Sequence, residues 1–255
     1  MEARLIIHAP AAGAWNMAVD EALLESAAGG GVACLRFYQW AEPTLTLGYF
    51  QACADRQSHA ASLACPCVRR ATGGGAIVHD RELTYSFTLP VAGRGIGELK
   101  PLYDAFHQTL IDELATFGAA ATLCDGRRLG LAGSAEPTPP NSPEPFLCFQ
   151  RRSAGDVLLD EAKVCGSAQR RQRGALLQHG SVLLRRSLAA PELPGIEDLS
   201  GWPVGIAELV AGWQRRLADH LGLRLLPSHI SDEESRCANE LRVGKFESSS
   251  WNRRR

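Results

Sequence analysis

Apolar residues recur along this chain with two periods, and the switches between them mark out its elements. Leu5-Ile6-Ile7 is a short run of strand type, and residues 16–27 set Met17, Leu23 and Leu24 among good helix formers, with Gly29-Gly30-Gly31 as a stop. Residues 33–39 and 44–50 predict two strands broken by Glu42-Pro43, and the alanine-rich residues 51–64, with Asp55 and Arg56, predict an exposed helix. Next comes Arg69-Arg70-Ala71-Thr72-Gly73-Gly74-Gly75-Ala76-Ile77-Val78-His79-Asp80, which predicts strand, glycine turn, strand: a glycine-rich hairpin. In the run that follows, Leu83, Tyr85, Phe87 and Leu89 alternate onto one face. A glycine-rich connector at 93–97 leads into a periodic helix over Leu99 to Phe117, and residues 133–145, with five prolines, predict a surface loop. Residues 156–165 predict a hairpin turning at Glu161-Ala162, 190–205 is a Pro/Gly-rich connector, and 206–221 is an amphipathic helix with Ile206, Leu209, Val210, Trp213, Leu217 and Leu221 inward. Helices interleaved with strands predict an α/β (α+β) fold, a mixed β-sheet flanked by helices.

Length and composition narrow the class. A chain of 255 residues with 45% hydrophobic content can form one large domain or a domain with a small appendage, and is read here as a single domain over 1–255 with a polar C-terminal tail from about 226, helical in part and closing on Trp251. Its 27 Lys and Arg against 28 Asp and Glu leave a net charge of −1, which gives no sign of a nucleic-acid or membrane partner. The start lacks a long apolar leader and no segment has 18 uninterrupted apolar residues, so the expected location is cytoplasmic. The eight cysteines are then reduced thiols; no Cys-x-x-Cys occurs, and Cys65-Pro66-Cys67 reads as two small residues leading into the arginine turn rather than as zinc ligands. Neither a phosphate-binding Gly-x-x-x-x-Gly-Lys-Ser/Thr loop nor a Gly-x-Ser-x-Gly elbow is present.

Candidate chemistry lies in the glycine turn and in two cysteines near a lysine. Three glycines strip the main chain of Cβ atoms, so an extended ligand can lie on it; the competing account is a tight hairpin with solvated charges. A cysteine reacts as thiolate and needs a cationic neighbour. Cys148 is followed by Arg151, Arg152 and the Lys163 strand. Cys165, two residues along a strand from Lys163, stands about 6.5–7 Å away and is the weaker candidate. A lone cysteine is more often a small buried hydrophobe, and a lone lysine a solvated amine. Against the latter, the chain has only Lys100, Lys163 and Lys245 among many arginines, which suggests a need for a compact point charge at 163.

The pattern Arg-Arg-x-Thr-Gly-Gly-Gly-Ala-x-x-His-Asp from Arg69, with Glu82-Leu83-Thr84-Tyr85-Ser86 after it, resembles the signature of the lipoate–protein ligase and octanoyltransferase family. Asn16 to Leu24 resembles that family's first helix, and Lys163-Val164-Cys165-Gly166-Ser167-Ala168-Gln169 with Gln178-His179-Gly180-Ser181 resembles its lysine strand and the strand after it. The resemblance implies the biotin/lipoate protein ligase catalytic fold. In the LipM-type octanoyltransferase branch, it puts an acyl-thioester cysteine in a Cys-Phe motif about fifteen residues before the lysine, the relation that Cys148-Phe149 and Lys163 show. It implies transfer of octanoate from octanoyl-acyl carrier protein to a lysine of a lipoyl domain (glycine cleavage H protein or a dehydrogenase E2 subunit), with catalytic Cys148 and Lys163 and no nucleotide, metal or other cofactor. Lys163 is expected to favour the thiolate and hold the acyl carbonyl. Arg70, Thr72, Gly73, Gly74, Gly75 and His79 are expected to shape the acyl tunnel and its polar mouth, with a structural histidine as the other account of His79. Gly166, Ser167 and Ala168 would let the thioester pass close to the backbone. Arginine pairs at 69–70, 127–128, 151–152, 170–171, 185–186 and 215–216 include candidates for docking an acidic carrier, most being expected on the solvated surface. The alternatives are an ATP-dependent ligase, where Gly73-Gly74-Gly75 is at home while the transferase branch often has Gly-Gly-Arg, and a non-catalytic acyl-binding module. The Cys-Phe position and the lack of a ligase-like accessory domain favour the transferase.

Overall fold

In the computed structural model, residues 1–91, 100–125 and 144–254 are described. The glycine connector at 93–97, the Arg127-Arg128 pair and the proline-rich stretch up to residue 143 lie outside them. In chain order the elements are β1 (Glu2–Ile7), α1 (Gly13–Ala28), β2 (Ala33–Tyr38), β3 (Thr44–Leu47), β4 (Cys67–Arg69), β5 (Ile77–His79), β6 (Glu82–Pro90), α2 (Lys100–Leu114), β7 (Thr122–Leu123), β8 (Val157–Leu159), β9 (Ala162–Gln172), β10 (Ala175–Leu183), α3 (Ile196–Ser200), α4 (Ile206–Leu221), β11 (Arg224–Pro227), α5 (Asp232–Leu241) and α6 (Ser249–Asn252).

Eight strands form one mixed sheet in the order β11-β1-β2-β6-β10-β9-β8-β7, and β4-β3-β5 form a smaller one. β1 runs parallel to both neighbours, whereas β2 onward is antiparallel throughout. The alternation read in β6 fills the main core: Leu83, Tyr85, Phe87 and Leu89 pack with Phe106, Leu110 and Leu114 of α2 and with Leu209, Trp213 and Leu217 of α4. Trp213 is the pivot of that layer, edge-on to Tyr85 at 5.0 Å, tilted against Phe37 at 5.6 Å, and with its indole N–H donated to Thr109 Oγ1 at 3.1 Å. On the opposite face α1 presents Met17, Val19 and Leu23 to Cys34 and Tyr38, and Ala238 of α5 and Phe246 of the π-helical turn at Arg242–Phe246 complete that layer. α5 begins with a capping box in which Ser231 accepts from the Glu234 N–H and Glu234 accepts from the Ser231 N–H. Among the described residues no helix is long and apolar enough to cross a membrane.

Two expectations are corrected here. The glycine stretch is not a hairpin: β4 runs parallel and β5 antiparallel to β3, one on each side of it, so the turn carries the chain across β3 from one edge to the other. Two runs that look alike on either side of a glycine turn do not reveal that a third, earlier strand pairs with both. Residues 51–64 form two 3₁₀ turns, Cys53–Ser58 and Ala60–Ser62, in place of a helix. There the Asp55 carboxylate accepts from the Ala52 N–H at 3.2 Å and Ser58 Oγ donates to the Asp55 carbonyl at 2.7 Å, local bonds that compete with the helical ladder.

Candidate active site

Cys148 reaches the glycine turn because residues 146–148 are tied to its exit. The Ala76 N–H donates to the Phe146 carbonyl at 3.0 Å, and the Cys148 N–H donates to the Ala76 carbonyl at 2.7 Å, after which Cys148–Gln150 turns away as a single 3₁₀ turn. The approach is possible only over a bare backbone. A Cβ at Gly75 would lie 3.0 Å from both N and Cα of Cys148, and one at Gly74, whose φ is +89°, would lie 3.8 Å from the Cys148 sulfur.

Lys163 comes to the same thiol from β9, its Nζ 3.8 Å from Cys148 Sγ. The tight β8–β9 turn, with Asp160 and Glu161 both at positive φ, sets it there, and the ammonium stands 2.9 Å from the carboxylate of Asp156 just before β8. Both partners are almost wholly buried. Burial opposes the charge on Lys163, but Cys148 and Asp156 outweigh it and its titration is raised, so the amine is a cation at neutral pH. Asp156 is itself fixed by the Ser153 N–H at 2.7 Å. A Cβ at Gly166 would collide with the Lys163 stem and lie 2.8 Å from its Nζ, so this glycine makes room for the lysine as well as lining the cavity. Cys165, by contrast, is buried in the main core, and burial pushes its thiol up, away from reactivity.

Arg70 braces the turn from inside. Its guanidinium donates to the carbonyls of Gly75 at 2.7 Å, Gly73 at 3.3 Å and Thr46 at 3.0 Å, and to Thr46 Oγ1. Burial pulls it down to about 10, against the pull of Cys148, and at neutral pH it is a second cation near the sulfur. His79 lines the cavity but is also buried and bonded at both nitrogens, to Glu82 at 2.6 Å and Thr46 Oγ1 at 2.8 Å, under the stacked ring of Trp40 at 3.9 Å. Thr72 Oγ1 meets His179 Nε2 at 2.7 Å. Arg69 and Arg152, expected at the surface with most of the paired arginines, are buried: Arg69 on main-chain carbonyls and Arg152 against Glu161 at 2.6 Å. Desolvating a guanidinium is tolerable only where its fork is filled, which adjacent arginines in a sequence do not disclose.

These pieces form a cavity partly open to solvent, lined by Arg70, Gly73, Gly74, His79, Cys148, Gly166, Ser167 and Ala168 together with Met17, Tyr38, Ile77, Phe149 and His179. The expected site residues therefore converge. Thr72, Gly75 and Lys163 stand immediately behind its wall. Its apolar lining residues suit an alkyl chain and its polar ones a reacting carbonyl. Sequence reasoning missed Asp156, Tyr38 and His179. Tyr38 and His179 are held by Asp20 of α1, at 2.8 and 3.3 Å, and Asp20 is paired with the buried Arg36 at 2.7 Å. The available signal was a set of polar residues at positions whose neighbours in the periodic pattern are core. Among the described residues no group of three or more His, Cys, Asp and Glu side chains is placed to hold a metal ion.

Comparison with known proteins identifies the family. The family model for the lipoyl protein ligase A/B catalytic domain matches residues 12–193. Octanoyltransferase LipM of Brevibacillus brevis is 32% identical over 280 residues, covering 99% of both chains. That of Kyrpidia tusciae is 32% identical over 277 residues, covering 99% of this chain and 98% of its own. In fold, the chain is similar to a bi-partite lipoate protein ligase from Thermoplasma acidophilum, studied with its E2 lipoyl domain (TM-score 0.76, 21% identity, 99% and 96% covered).

Proposed function

This chain belongs to the lipoyl protein ligase A/B catalytic family, and from that premise we propose the route by which it works. It is an octanoyltransferase, an acyltransferase of lipoate biosynthesis. In the route proposed, the Cys148 thiolate attacks the thioester carbonyl of octanoyl-acyl carrier protein; a new C–S bond forms on Cys148 and the carrier thiol leaves. The amine of a lipoyl-domain lysine, on H protein or an E2 subunit, then attacks the acyl-Cys148 carbonyl, and the C–S bond breaks as the amide forms. The observation that carries this is the 3.8 Å approach of the Lys163 ammonium to Cys148 Sγ at the edge of the cavity. A buried cation there stabilises the thiolate as nucleophile and as leaving group, and an acyl oxygen at the same place would share it. A lipoyl-domain acceptor is part of this proposal, and it is in keeping with the T. acidophilum ligase, similar in fold and studied with its own E2 lipoyl domain. A working thiol fits a reducing compartment, and we place the reaction in the cytoplasm, with residues 1–255 acting as one catalytic unit.

Intact-mass spectrometry after incubation with octanoyl-acyl carrier protein tests the route. Wild type gains one octanoyl group on Cys148, Cys148→Ala gains none and transfers none, and Cys165→Ala keeps most of the activity. Lys163→Ala folds but loads more slowly. Equal loss from the two cysteine variants overturns the assignment, and normal transfer by Cys148→Ala supplied with free acid and ATP identifies an ATP-dependent ligase instead.

A further inference from the structure

One wall of the cavity carries a line of hydrogen bonds whose sense can be worked out donor by donor. Gln169 Nε2 donates to Gln178 Oε1 at 2.7 Å, which turns the Gln178 amide so that its Nε2 donates to Tyr85 Oη at 3.1 Å. At the other end, His107 lies 2.5 Å from the Gly155 carbonyl through Nδ1. A carbonyl only accepts, so Nδ1 holds the proton of the neutral imidazole and Nε2 is left as an acceptor. The Nε2 partner is Ser167 Oγ at 2.6 Å, whose single hydrogen must therefore point at His107. The remaining contact, Tyr85 Oη to Ser167 Oγ at 2.5 Å, then runs from tyrosine to serine. Every donor points toward His107, an arrangement in which each bond polarises the next. Tyr85, Gln178 and His107 are all fully buried, and Ser167 is the member that lines the cavity.

This fixes what Ser167 offers a ligand. Its hydrogen is committed and one lone pair is taken by Tyr85, so the hydroxyl presents a lone pair and no proton. It cannot hold a thioester carbonyl; it recognises a group that brings a hydrogen. In the two half-reactions proposed above, the attacking amine is the one reacting group that does.

Resting on that thioester route, we infer that Ser167 takes the proton shed by the acceptor nitrogen as it attacks acyl-Cys148, while passing its own proton to His107. The neutral amine's lone pair forms the C–N bond and the carbonyl π pair moves to oxygen. The N–H proton goes to Ser167 Oγ as the Oγ–H proton goes to His107 Nε2. The carbonyl then reforms, the C–S bond breaks, and its electron pair stays on Cys148 Sγ beside Lys163. With the product gone, the imidazolium returns its proton through Ser167 to water in the cavity. Ser167 is the catalytic residue and His107 the positioning residue behind it. Burial keeps His107 neutral and receptive, the Gly155 carbonyl and the carboxylates of Asp156 and of Asp104 on its own helix favour the imidazolium, and Lys163 opposes it. The Tyr103 ring, 4.4 Å away, covers its remaining side.

The test separates loading from resolution. In single-turnover experiments, octanoyl-Cys148 enzyme is formed and then mixed with a lipoyl domain. Gln at 107 can accept the serine hydrogen bond without taking the proton. In His107→Gln and in Ser167→Ala, the ratio of aminolysis rate to loading rate is expected to fall about 100-fold. Wild-type aminolysis falls more steeply toward acid than that of His107→Gln, in which only the acceptor amine itself titrates. An unchanged ratio, or acid limbs of equal slope in wild type and His107→Gln, overturns the relay while leaving the thioester route standing. A wild type that never carries an acyl group on Cys148 overturns both.

Discussion

Gly74 shows how closely a single missing side chain is tied to the chemistry. Its φ of +89° and the 3.8 Å between its absent Cβ and the Cys148 sulfur are both forfeited by Gly74→Val. Strain of about 1–3 kcal/mol leaves a domain of this size folded. The added branches stand at the thiol itself, so loading should fall for every acyl length, short chains included. A chain-length series followed by intact mass checks this; loss confined to the eight-carbon chain would put the turn at the far end of the tunnel. At this scale much was legible. Cys148, Lys163 and the three glycines were marked by motif and spacing, and the structure gathers them. Asp156 and His107 were not, because a carboxylate before a strand and a histidine on an apolar helix face acquire meaning only from what folds against them.

Arg69, at the end of β4, ties several segments together. It donates through Nη1 to the carbonyls of Gly48 and Gln51 and through Nη2 to those of Asn252 and Arg254, while its own main-chain N–H donates to Asn252 Oδ1 at 2.9 Å and its carbonyl accepts from the Trp251 indole N–H at 2.9 Å. The loop after β3, the entry to the glycine turn and α6 thus form one unit. Asn252→Ala leaves the Arg69 N–H without its acceptor and should cost about 1–3 kcal/mol in urea unfolding, with slower loading of Cys148. An unchanged midpoint would show that the contact carries no stability. The long strands and the 206–221 helix were readable because one period repeats over many residues. The β4-β3-β5 order was not, because strand adjacency is set by distant pairing that no local pattern records.

Across the whole molecule, two buried histidines and the half-buried His8 set a common response to acid. Burial lowers His8 to about 4 and also depresses His79 and His107 below the ordinary 6.5, so the folded chain declines protons that the unfolded chain takes up. Their contribution is present above about 6.5 and is lost as pH falls toward the depressed values, at up to about 1.4 kcal/mol per pH unit for each buried ring and less for the solvent-screened His8. Thermal melts between pH 7.5 and 5 should show Tm holding down to about 6.5 and dropping below it; a flat profile would contradict neutral histidines in the folded state. The arrangement of the sheet bears on how the molecule assembles. β1 is held between β2 and β11, so Ala3 pairs with Leu225, whereas β9 and β10 pair across a short turn with Gln169 opposite Gln178. Closing the longer loop costs about 3 kcal/mol more chain entropy than closing the hairpin. The hairpin bearing Lys163 and Ser167 is accordingly an early folding unit and the β1–β11 edge a late one. In native-state hydrogen exchange, that edge would open first while the catalytic strands stay protected, so the molecule can fray at its seam without losing its chemistry.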